Sequence, residues 1–458
     1  MLYEMNVIKA FKRLFLGLMV VGVTIAQANI GYTLEGCRSG DIPSGYDLEA
    51  NDFVCPDGAY IPANLGKGWA ELDLVPHRVT IENKGSEPES FTFTVGGDFL
   101  YAVGGDLRGW DYISELILDE SLSNDICINW AIENQDSLVQ QELLITPDGE
   151  GVGGVYTTIY RQISVNDPGN PNIGLPAGAK CVANYVQRLA IGSSGYTGSS
   201  LQSNLWNKDL ESGGIGEKRI QLQDVKTALV EKDMVATQDE AHDWSIVKTG
   251  PTSVNFGDTC DLENPKEVPV DITVTWTKHP AAAVGEIAIT STITMTNNSS
   301  RAVGVSISDQ LYNNDGMLGD PQTCSEQIIP ATTTAIVCQL THTLDASLKD
   351  TGLYDIATAS FSDPIYPDAP IEVTLDATAN AVFKPGNTLY AEAVATDSES
   401  ISSSNEMVTF ASGVFDPENI GSYDAPYVAG EQTQDDVNWT SVTLTQSGSV
   451  TFHKTIAI

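Results

Sequence analysis

Residues 286–297 read Glu-Ile-Ala-Ile-Thr-Ser-Thr-Ile-Thr-Met-Thr-Asn, and this stretch decides the fold class. Ile287, Ile289, Ser291, Ile293 and Met295 fall on one face of an extended chain. Ala288, Thr290, Thr292, Thr294 and Thr296 fall on the other. Successive side chains of a β-strand point to opposite faces, so the pattern predicts one face on a core and one face in water. Threonine suits such a half-buried pleated surface. The same period of two runs outward through residues 268–278 (VPVDITVTWTK), 301–311 (RAVGVSISDQL), 335–342 (AIVCQLTH) and 353–361 (LYDIATASF). Residues 371–383 and 437–445 continue it.

Nearer the N-terminus, strand-like runs lie at 69–82, 90–95 (SFTFTV), 126–132 (ICINWAI), 155–165 (VYTTIYRQISV) and 181–191 (CVANYVQRLAI). Gly/Pro/Asn clusters at 149–154 and 166–171 separate them, as turns do. Residues 111–122 fit helical and extended spacing about equally. Residues 29–68 are rich in Gly, Pro and Asp and read as an irregular segment pinned by Cys37 and Cys55. Many short strands between Gly/Pro turns predict an all-β sandwich or barrel. A domain boundary is expected near residue 225, after residues 218–225 (KRIQLQDV).

The order T-x-T-N-N-S-S-x-x-V-x-V-x-I-x-D-x-L at 294–311 resembles the Ig-like β-sandwich repeat domains of bacterial surface proteins, adhesins among them. Ile329-Pro330-Ala331 and the run 355–360 (DIATAS) are similar to the loop and A-x-A strand of the same family, and residues 243–248 (DWSIVK) fit its opening strand. The resemblance covers residues 226–400 and implies extracellular residence without catalytic residues. Some surface Ig-like domains carry Lys–Asn isopeptide bonds; Lys248 and Asn438 fall in first and late strands, with no acidic partner visible beside them. The expected architecture is two β-sandwich domains after a signal peptide. The N-terminal one (69–225) is jelly-roll-like or a plain sandwich, the C-terminal one (226–400) is Ig-like, and residues 401–458 form a β-rich extension.

Export is read from the first 28 residues. Lys9, Lys12 and Arg13 precede a 13-residue apolar run at 14–26, and Ala26-Gln27-Ala28 supplies a small-x-small cleavage pattern. As a helix that run spans only about 20 Å of a ~30 Å hydrocarbon layer, so no membrane span is expected once the leader is gone. Without it the charge goes from −38 to −40, which excludes nucleic acid and anionic lipid as electrostatic partners. The expected location is secreted or at the cell surface. In an oxidising compartment sequence neighbours are the preferred disulfides: Cys37–Cys55, Cys127–Cys181 and Cys324–Cys338, with Cys260 left over.

Chemistry-bearing motifs are few. There is no H-E-x-x-H, Walker loop, dinucleotide fingerprint or G-x-S-x-G elbow; Gly192-Ser-Ser-Gly195 has the wrong spacing. The five histidines are dispersed, so a hydrolase is the remote reading and no catalytic residue is expected. No cofactor is expected, with Ca²⁺ the one candidate: Asp309, Asn313, Asn314, Asp315 and Asp320 supply hard oxygen ligands in a turn-rich stretch, as do Asn166, Asp167 and Asn170. Asn and Asp also dominate ordinary turns, and that reading is preferred. Tyr101, Trp110, Tyr112, Tyr196 and Trp206 are candidate sugar-stacking aromatics, weighed against ordinary core filling, which is favoured. The function expected is a non-enzymatic structural or adhesive protein, with carbohydrate binding through residues 69–225 as the alternative. Expected partners are other surface or matrix proteins or a polysaccharide. The chain is expected to be released, held by a partner, or to expose the run 451–458 for addition to another chain, the last of which predicts a homo-oligomer.

Overall fold

A computed structural model describes residues 29–101, 107–128, 131–134, 138–145, 151–166, 174–196, 201–207, 218–253, 255, 267–395, 422–424 and 442–457. The first half contributes β1 (Ile30–Cys37), β2 (Tyr60–Ile61), β3 (Leu74–Asn83), β4 (Phe91–Tyr101), β5 (Leu107–Arg108), β6 (Trp110–Ile113) and β7 (Ile117–Leu118). After the short helix α1 (Asp125–Ile128) come β8 (Ala131–Asn134), β9 (Leu138–Ile145), β10 (Gly151–Asn166), β11 (Lys180–Leu189), β12 (Leu201–Asn207) and β13 (Lys218–Leu222). The second half opens with β14 (Leu229–Ala241), β15 (Trp244–Thr249), β16 (Glu267–Lys278), β17 (Ala282–Asn297), β18 (Val303–Asn313), β19 (Gly316–Ile329) and β20 (Thr333–Leu344). It closes with β21 (Tyr354–Ser362), β22 (Leu375–Asn380), β23 (Val382–Leu389), β24 (Ala393–Ala395), β25 (Ser422–Asp424), β26 (Val442–Leu444) and β27 (Gly448–Ala457).

The chain is all-β and is built from sandwiches. In the first, the sheet β2-β1-β3-β11-β6 faces the sheet β13-β12-β4-β10-β8 across a core that includes Leu34, Val79, Ile81, Phe93, Trp110, Ile163 and Leu205. In the second, β20-β17-β14-β23 faces β19-β18-β21-β22. The inward row of β17 is buried from Ile287 through Met295, and its threonine row is not. Each fully buried Ile or Met in such a row contributes roughly 1.5–3 kcal/mol. Asn297 closes the β17–β18 turn: its amide donates to the carbonyls of Arg301, Ile329 and Pro330, and its Oδ1 accepts from the Ser299 amide.

Several elements depart from the sequence reading. Residues 30–37, read as irregular, form β1, which pairs β3 in unbroken register from Ile30↔Asn83 to Gly36↔His77. Residues 110–118 are short strands on β11 and not a helix, because pairing with β11 satisfies their backbone. Within 126–132, α1 takes the first part and β8 only the last. The second sandwich opens with β14, whereas residues 244–249 form β15 at the edge of a separate sheet, β15-β16-β27-β25. The C-terminal strand is therefore occupied within the chain: β27 pairs β16 from Glu267↔Ala457 to Trp276↔Gly448 and β25 on its other side.

Three disulfides form, Cys37–Cys55, Cys127–Cys181 and Cys324–Cys338. The last joins β19 to β20 and so links the two sheets of the second sandwich. Cys260 lies outside the described residues. No helix among the described residues is long and apolar enough to cross a membrane.

Candidate functional site

The two halves meet over a buried ionic network. Arg188, on β11, donates from Nε to Asp111 (2.7 Å), from Nη1 to Asp363 (3.0 Å) and the Ala369 carbonyl (2.9 Å), and from Nη2 to the Pro370 carbonyl (3.1 Å). Arg301, from the β17–β18 loop, grips Asp363 with both terminal nitrogens (2.6 and 3.0 Å) and reaches the Leu72 carbonyl of the first half with Nε (2.6 Å). The guanidinium fork has five donors in one plane, which is why arginine and not lysine can serve several acceptors at once. Burial pushes the Asp363 carboxyl up, but Arg301 and Arg188 outweigh that and hold it below the usual range. At Asp111 burial wins and the carboxyl lies above it. Two further carboxylates complete the junction. Asp73 accepts from the amide and hydroxyl of Ser300 (2.6 and 2.8 Å). Glu71 accepts from the amides of Gly192, Ser194 and Ala228 (3.1, 3.2 and 2.9 Å).

Above this network opens a cleft of about 540 Å³. Tyr112 of β6 and Tyr366 of the 363–372 loop form one wall, their rings 4.8 Å apart. Phe99, Arg108, Arg161, Asp368 and Glu372 line the rest, with Arg108 bonded to Glu372 at 3.1 Å. Aromatic ring faces beside fixed hydrogen-bonding groups are what holds a small polar ligand in one orientation. Tyr366 was missed in the sequence because it lies far along the chain from Tyr112, in a loop with no pattern of its own.

The other sugar-stacking candidates lie elsewhere. Trp110 is fully buried, donates to the Gln202 carbonyl (3.0 Å), and fits only because residue 97 is glycine: a Cβ there would sit 2.6 Å from the Trp110 ring. Trp206 is 8 % exposed on β12. Tyr196 is half-buried against the same core. The side chain of Tyr101 lies outside the described residues. Trp110 fills the first core, whereas Trp206 follows the inward Leu205 on β12 and is not part of that core, so the two rings do not share one face.

The Ca²⁺ candidates do not converge. Asn313 spends its Oδ1 on the amides of Asp315 and Gly316 (2.9 and 3.0 Å), an ordinary turn cap between β18 and β19. Asp315 and Asp320 are exposed, and Asp309 points the opposite way, into the sandwich. Among the described residues no three His, Cys, Asp or Glu side chains cluster to hold a metal. Asp167 and Asn170 lie outside the described residues, and of Asn166 only the backbone, at the end of β10, is described.

Ser/His contacts form at the surface, Ser245 Oγ to His279 Nε2 at 3.2 Å, and in the first core. His77 Nε2 lies 3.0 Å from Ser203 Oγ, and His77 Nδ1 lies 2.8 Å from the Val75 carbonyl where a triad needs a carboxylate. Both residues are sealed in the core, and burial pushes the imidazole down to about 4. The pair braces the core beside Trp110 and Tyr185.

A last cluster lies inside the second sandwich. Lys232 of β14 touches Asp309 of β18 and stands 2.5 Å from Asp355 of β21, whose other oxygen accepts from the Ser291 hydroxyl of β17. The signal was present in sequence: Ser291 interrupts an Ile/Met row, and Asp309 interrupts the inward row Val303, Val305, Ile307, Leu311. Lys248 is exposed on β15, and Asn438 lies outside the described residues.

No protein-family profile and no curated protein matches the chain. Among solved structures it is similar to the C-terminal domain of the antigen I/II-family protein AspA of Streptococcus pyogenes. The identity is 8 %, the TM-score 0.23, and the match covers 77 % of this chain and 99 % of that one. It is also similar to a Bacteroides uniformis beta-glucuronidase, at 8 % identity and TM-score 0.14, over 78 % of this chain and 31 % of that one. At these scores neither likeness carries an inference about this chain.

Proposed function

We propose that the chain is an exported, non-enzymatic structural protein, secreted or held at the cell surface, with an adhesive role. The junction of Arg188, Asp363 and Arg301 supports this reading most directly: it fixes one sandwich on the other through fully buried, multiply bonded charges, as a part that transmits load requires. Disulfide bracing fits an oxidising exterior. The strongly negative surface keeps such a chain soluble and favours encounter with basic or Ca²⁺-screened surface and matrix partners. Surface labelling of the native cells, with an adhesion assay on cells lacking the gene, tests it. Labelled chain and weakened attachment are expected; a cytosolic chain with attachment unchanged would refute the proposal.

The junction cleft favours a second reading, carbohydrate binding, with Tyr112 and Tyr366 in place of the two tryptophans. A glycan array on the intact chain and on Tyr366→Ala separates the two. Signal lost in the variant supports this reading, and silence across all polysaccharides removes it.

A further inference from the structure

Four inward rows of the second sandwich each carry a polar residue among apolar ones, and Lys232, Ser291, Asp309 and Asp355 meet. The inward row of β14 runs Val230, Lys232, Met234, Ala236, and that of β17 runs Ile289, Ser291, Ile293. β18 gives Ile307, Asp309, Leu311, and β21 gives Asp355, Ala357, Ala359. Met234 pairs with Ser291 in one sheet, and Leu311 with Asp355 in the other, so the register brings the polar members to a common level. The side chains of Lys232, Asp309 and Asp355 are wholly buried.

The charges do not balance there. One ammonium faces two carboxylates in a site without water access, and an uncompensated buried charge is among the most costly things a core can contain. Ordinary core packing never requires such a set; Val or Leu at these four row positions would complete the rows. Lys232 and Asp309 stand in direct contact, nucleophile against electrophile, on strands of opposite sheets. Asp355 is within reach of the same nitrogen and is steadied by Ser291.

We propose that Lys232 Nζ and Asp309 Cγ are joined by an intramolecular amide bond formed by the chain itself, with Asp355 carrying the proton. The ammonium passes one proton to the Asp309 carboxylate, leaving a neutral amine beside a carboxylic acid. The nitrogen lone pair attacks Cγ, and the C–N bond forms as the carbonyl π pair moves to oxygen. Asp355 takes a second proton from nitrogen and delivers it to the Asp309 hydroxyl. The carbonyl re-forms, the C–O bond breaks and one water leaves. Ammonium plus carboxylate become amide plus water, so atoms and charge balance and no oxidant is needed. Asp355 returns to its starting state. Burial raises the Asp309 carboxyl, which favours the protonated form with a hydroxyl able to depart. The product removes two charges from the core, and the site that excluded water in the forward direction excludes it from hydrolysis. The bond ties β14 to β18 across the sandwich, while Cys324–Cys338 ties β19 to β20 at its edge.

The test is mass spectrometry of the purified full chain with its disulfides intact, followed by proteolytic mapping after reduction. The expected mass is short by one water, and the map contains a branched peptide joining the segment with Lys232 to the segment with Asp309. Asp355→Asn, checked for native circular dichroism, is expected to regain the water and lose the branch. Lys232→Met, which fits the apolar row, does the same without leaving a buried amine. A wild-type chain of full mass whose Lys232 acetylates after denaturation would overturn the proposal, and so would a branch ending on Asp355.

Discussion

Replacing Arg301 with alanine probes the junction at its most connected point. The substitution removes both bonds to Asp363 and the one to the Leu72 carbonyl, at 2.6, 3.0 and 2.6 Å. It leaves Asp363 with Arg188 Nη1 and the amides of Ile365 and Tyr366. Breaking a buried ion pair costs about 3–5 kcal/mol, and the surviving partners place this one near the lower end. At roughly 2–4 °C per kcal/mol, the melting temperature should fall by about 6–12 °C. Arg301→Lys keeps the charge but not the fork, and is expected to recover only part of the loss. Urea titration followed by tryptophan fluorescence reads the effect, and the double variant Arg301→Ala/Asp363→Ala measures the coupling. The pH dependence follows from the sign of the shift. A carboxyl held low in the folded state stabilises it above the unfolded pKa and loses that contribution as pH falls through the folded value. Arg301→Ala should therefore raise the Asp363 pKa and move acid unfolding to higher pH. A loss below about 1 kcal/mol, the range of a surface pair, would refute the bracing role given to this contact.

His77 gives a second pH prediction. Its folded pKa of about 4 lies below the unfolded value of ~6.5, so stability falls as pH drops through that window, by up to about 3 kcal/mol. Proton NMR should show its imidazole silent down to pH ~5; titration near 6.5 would mean the core admits water. Glu71→Ala strands three amide donors, at Gly192, Ser194 and Ala228, and is expected to cost about 2–4 kcal/mol in the same urea assay. Trp110→Ala empties a fully buried ring site and should destabilise by about 3–5 kcal/mol, read as a lower urea midpoint; a native midpoint would show that the ring is not packed as described.

The strand at 282–297 is legible because its alternation is unbroken by charge and its neighbours supply matching rows. β14 is not, and the reason is chemical. Lys232 sits in its inward row with Glu231 and Asp233 beside it, so the run LVEKDMVATQDEA looks wet on both faces although the Lys232 side chain, Met234, Ala236 and Gln238 are buried. The residue that hides the strand is the one that makes the buried cluster. The junction is invisible for another reason: Arg188 and Asp363 are 175 residues apart, and no local period reports a pairing between separate sheets. Trp110 shows the limit of reading residue types, because an indole suits a core or a binding face equally, and Gly97 in the facing sheet decides which. The terminal strand looked unpartnered because its partner, β16, lies far upstream.

The account stands on a β-sandwich chain that is cross-braced outside the cell. Alkylation of material taken directly from the native cells and their medium, before and after reduction, tests this most directly. It should find the chain outside the cell, with Cys37, Cys55, Cys127, Cys181, Cys324 and Cys338 all masked until a reductant is added. Chain confined to the cytosol, with these six thiols labelled at once, would contradict it.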